Sequence, residues 1–100
     1  MIDFDLWKCE SSGDLRLERL AISYDELSGD FKYTWQVGWH AGLHSDGVGG
    51  TEKIPEELIK TQSYHIIANM INRSLQFDHA VVTAKDIKPI IESCVEKRNK

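Results

Sequence analysis

The sequence predicts an α+β fold: a three-stranded antiparallel β-meander packed on one face by two C-terminal α-helices, in the order β-β-β-α-(β)-α. Three observations predict it. Apolar residues alternate with period two over residues 2–39. They recur with period 3.6 over residues 56–95. A glycine-rich stretch, residues 41–53, separates the two regimes and reads as a loop.

The first strand covers residues 2–9. Ile2, Phe4 and Leu6 share one face, and Asp3, Asp5, Trp7 and Cys9 share the other. Ser11-Ser12-Gly13-Asp14 is a turn cluster. Leu15 and Leu17 open a second strand, yet Leu20, Ile22 and Tyr24 continue it in the opposite phase. A one-residue slip near Glu18-Arg19 reconciles the halves, so a β-bulge is expected there. Ser28-Gly29-Asp30 makes the next turn. Phe31, Tyr33, Trp35, Val37 and Trp39 then alternate with polar or small residues, and this aromatic row is expected to pack mainly against the helices.

Pro55-Glu56-Glu57 signals a helix start. The pattern carries the helix to about Gln76, with Ile59, Ile66, Ile67, Met70, Ile71 and Phe77 on its apolar side. Ala80-Val81-Val82 reads either as a short strand or as an extended link. Thr83 or Asp86 caps the last helix, where Pro89 fits only in or near the first turn. Ile87, Ile90, Ile91, Cys94 and Val95 form its stripe, and residues 96–100 read as a frayed polar end.

With 100 residues, 28% charged and 41% hydrophobic, the chain is expected to be a single domain over 1–100. No apolar stretch approaches the roughly 18 residues of a membrane span. The start, Met1-Ile2-Asp3-Phe4-Asp5, lacks the basic and apolar regions of a secretory signal. A cytoplasmic location with reduced Cys9 and Cys94 is therefore expected. The formal charge of −4 is uneven: residues 1–50 hold 4 basic and 9 acidic side chains, residues 51–100 hold 8 and 7. The acidic half disfavours a phosphate backbone and suits docking on a basic protein surface.

No motif carries catalysis. The glycine-rich stretch has Val48-Gly49 where a phosphate-binding loop needs Lys and Ser/Thr. His40 and His44, with Asp46, could form a metal or acid–base loop, but they follow a strand into glycines and lack the embedded Glu of a metalloprotease. No cofactor is expected. Two surfaces suit protein contact. One is Trp7 among Asp3 and Asp5. The other is the polar side of the long helix: Thr61, Gln62, His65, Asn69, Asn72, Arg73 and Gln76. Six of these seven are neutral or weakly basic, whereas ordinary solvated helices use Lys and Glu.

In size and acidic charge the chain resembles bacterial immunity proteins and phage-encoded inhibitors, which implies a role in masking a partner. A sheet followed by a helix is also similar to small DNA-binding modules of the integrase-arm type, but those are basic. The leading expectation is a small acidic, non-enzymatic protein-binding module, carried by Asp3, Asp5 and Trp7 or by Gln62, His65, Asn69 and Arg73. The alternatives are a small metal-dependent or acid–base enzyme using His40, His44 and Asp46, and a nucleic-acid binder using the helix 56–76 with Lys97, Arg98 and Lys100. A homo-oligomer is also compatible with the sequence.

Overall fold

The computed structural model describes residues 2–5, 11–12, 15–39 and 48–99. Trp7, Cys9, His40, His44, Asp46 and Lys100, singled out above, lie outside the described residues. The strands are β1 (Ile2–Asp5), β2 (Ser11–Ser12), β3 (Leu15–Asp25), β4 (Asp30–Trp39) and β5 (Val48–Ile54). The helices are α1 (Glu56–Lys60), α2 (Tyr64–Leu75) and α3 (Ala84–Arg98). The sheet is antiparallel in the order β1-β3-β4-β5, with β2 also paired to β3. The α+β meander with helices on one face is thus present.

It is wider than the sequence suggests. Residues 48–53, expected within a loop, form most of β5. The reason lies in its neighbour. Trp35 pairs with Gly50, and a Cβ at Gly50 would sit 2.9 Å from the indole Cη2. The ring of Trp35 therefore supplies the cover that the glycine lacks, a pairing that rescues a poor strand former.

The expected bulge is there. The β3–β4 register runs Leu17↔Val37 and resumes at Arg19↔Gln36, leaving Glu18 unopposed. The slip puts Leu17, Leu20 and Ile22 into one core with Phe31, Tyr33 and Val37. The β3–β4 turn closes with Gly29 at φ 76°, its N–H bonded to the Asp25 carbonyl at 2.8 Å. Leu27, at the tip, is 100% exposed.

The single long helix expected over 56–76 is two helices. After Lys60 the chain turns through Gln62 at φ 56°. Gln62 N–H donates to the Ile59 carbonyl at 3.2 Å and Ser63 N–H to the Leu58 carbonyl at 2.9 Å. This is a Schellman closure with glutamine in glycine's usual place. Periodicity could not reveal it, because α2 resumes with its apolar face still toward the sheet. Ile67, Ala68, Ile71 and Leu75 are buried there, whereas Ile66, expected in the core, is 50% exposed.

Residues 80–83 form an extended link, not a strand. Asn72 holds it: its amide N–H donates to the Val82 carbonyl at 2.8 Å, and its Oδ1 accepts from the N–H groups of Val81 and Val82 at 2.9 Å each. A capping box joins Thr83 and Asp86 at the start of α3. Pro89 lies in the second turn of α3, later than expected, and faces solvent. Ile87, Ile91 and Cys94 are fully buried against the sheet. Helix α3 continues through Arg98, which donates to Glu56 Oε1 at 2.9 Å and lies 5.1 Å from the centroid of the Phe31 ring.

Candidate functional site

The turn at Gln62 divides the expected polar helix face. Gln62 is exposed, but it belongs to the α1–α2 corner and lines a depression with Tyr64, Glu92 and Glu96. His65, Asn69 and Arg73 stay together. They follow one another at spacing four on α2, and all three are exposed. Ile66 lies beside them, and half-buried Met70 follows Ile66 one turn on. The outer face of α2 is thus an aliphatic strip bordered by an imidazole, an amide and a guanidinium. Asn72 and Gln76, assigned to the same polar side, have other duties: Asn72 staples the 81–82 link, and Gln76 ends α2 at φ 60°.

Arg73 also opens onto two concave regions at the C-terminal end of α2. One, of about 540 Å³, is bounded by Asn69, Arg73, Gln76, Phe77 and His79. The other, of about 450 Å³, lies between α2 and the β4–β5 edge and is bounded by Tyr33, Trp35, Glu52, Arg73 and Ser74.

The second region contains a hydrogen-bonded chain that sequence reading missed. Tyr33 and Glu52 are register partners across β4 and β5. The Tyr33 hydroxyl donates to Glu52 Oε2 at 2.7 Å. Its single proton is then committed, so Ser74, 2.8 Å away on α2, donates to the phenol oxygen. Burial, reinforced by the hydrogen bond to Glu52, pushes the Tyr33 pKa up to about 12. The phenol therefore stays protonated at neutral pH, which suits it to holding a carboxylate in place and not to abstracting protons. The only hint in the sequence was a Tyr within an aromatic row read as packing. Its partners lie 19 and 41 residues away.

The first-strand surface is placed in part. Asp3 pairs in register with Ser23, and Asp5 with Ala21, on edge strand β1. Of the basic C-terminal group, Arg98 is engaged by Glu56 and by the rings of Phe31 and Tyr24. Among the described residues, no three His, Cys, Asp or Glu side chains are grouped to hold a metal ion. No described helix is long and apolar enough to cross a membrane. No protein-family model, curated protein or solved structure matches the chain.

Proposed function

We propose that this chain is a non-enzymatic protein-binding module that acts by covering a surface of a partner protein. The observation that carries this reading is the outer face of α2. There Ile66 stands half exposed beside the stripe of His65, Asn69 and Arg73. A half-exposed isoleucine bordered by neutral polar groups can be desolvated at low cost, while Arg73 supplies a charged hydrogen-bond donor at the edge. The acidic N-terminal half, with Asp3 and Asp5 on an edge strand, suits a partner whose surface is basic nearby. The acids would then steer the encounter while the helix face supplies the contact.

Affinity capture from the native host with matched baits tests the reading. The wild-type chain should retain one partner in stoichiometric amount. Ile66→Asp and Asn69→Glu, each with unchanged circular dichroism, should lose it. Reversing Asp3 and Asp5 to Lys should slow capture and flatten its salt dependence. Equal retention by the wild type and both helix-face variants rules out α2 as the contact, and failure to retain any stoichiometric protein rules out the function.

A further inference from the structure

We propose that the depression between α2 and the β4–β5 edge binds a small zwitterion of the α-amino-acid type, its carboxylate on Arg73 and its ammonium group on Glu52. The depression, about 450 Å³ and open to solvent, has the volume of small-ligand sites. Its hydroxyl groups are already committed in the chain from Ser74 through Tyr33 to Glu52 Oε2. That chain leaves Glu52 Oε1 available as an acceptor and fixes the direction in which the carboxylate faces. Arg73 lines the same cavity, yet among the described residues it forms no ion pair with Glu52 or any other carboxylate. The indole Nε1 of Trp35, also in the lining residue set, is buried without a hydrogen-bond partner among the described residues. That N–H is itself closed to solvent, so it senses a ligand through the ring that lines the depression and not by direct contact.

The site thus holds a cationic donor and an anionic acceptor that face one cavity without touching. A simple anion would be attracted by Arg73 and repelled by Glu52, and a simple cation the reverse. A molecule carrying both charges a few bonds apart satisfies both at once. Met70 and the Trp35 ring add apolar surface for a side chain. Arg73 and Met70 also belong to the outer face of α2, so Glu52, on β5, is the residue that separates this site from protein capture.

The test follows the Trp35 indole N–H in ¹H–¹⁵N spectra of the full chain, the signal being assigned with Trp35→Phe. L-alanine carries the two recognised groups and is the minimal probe, and L-methionine adds a side chain. Acetate and methylammonium are the single-charge controls. Both amino acids should give a saturable shift in the millimolar range, and neither control should do so. Arg73→Gln and Glu52→Gln should each weaken the response by about tenfold or more. Glu52→Gln keeps an oxygen for the Tyr33 hydroxyl, so the local fold is retained and protein capture should be unchanged. No shift with either amino acid, an equal shift with acetate alone, or full affinity in either variant overturns the proposal.

Discussion

Arg98 Nη1 donates to Glu56 Oε1 at 2.9 Å, joining the last turn of α3 to the first turn of α1 across 42 residues. The same guanidinium lies over Phe31, whose ring packs 5.0 Å from that of Tyr24. One side chain therefore clamps both helix ends onto the β3–β4 hairpin. The carboxylate is 40% exposed, so the ion pair alone contributes little, and the stack on the rings supplies the rest. Arg98→Ala should lower unfolding free energy by about 1–2 kcal/mol in urea titration. Arg98→Lys should recover only part, because an ammonium group cannot stack as a planar fork does.

Asn72 should be less replaceable still. Its side chain serves one carbonyl and two N–H groups of the link that carries the buried Val81 and Val82. Asn72→Ala leaves those groups unpaired and should cost about 3 kcal/mol. The amide signals of Val81 and Val82 should also lose protection from hydrogen exchange. If that protection persists, another group satisfies the link.

Gln62 offers a gain. A β-carbon in the left-handed region is strained, and the Gln62 side chain is exposed, outside the core. Gln62→Gly should raise the urea midpoint, by about 0.5–1 kcal/mol in stability. A lower midpoint would show that the side chain contributes more than its backbone strain costs.

Tyr33 predicts an alkaline limit. Its folded pKa, about 12, lies above the ordinary value of 10. The folded state thus binds the proton more tightly, and that contribution is complete below pH 10. It is lost as pH rises from about 10 to about 12. Tyr33→Phe should flatten the fall in stability over this window. Some slope should remain, because burial, then the charge of Glu92, also raises the Tyr64 pKa. An identical slope in the variant would mean that Tyr33 ionises as freely when folded as when unfolded.

The elements that read clearly in the sequence are those whose reasons are local. Strand β4 alternates, α3 has its stripe and its Thr83–Asp86 box, and the phase change in β3 marks its own bulge. What failed to read depends on distant neighbours. Gly49 and Gly50 argue for a loop until Trp35 covers the second of them. Gln62 argues for helix, since only the backbone conformation reveals the turn. Ile66 carries the right period for the core and sits just past the edge of what the sheet covers. The candidate site was legible only where α2 displays it: His65, Asn69 and Arg73 share the outer face as expected. The Tyr33–Glu52–Ser74 chain was not, because three separate elements must meet before it exists.

The slip at Glu18 carries a genetic consequence. Loss of a single codon there would preserve the reading frame and remove only one side chain. Yet it would rotate either Leu17 or the Leu20–Ile22 segment to the wrong side of the sheet. Lineages carrying this hairpin should accept many replacements at position 18 and very few shortenings.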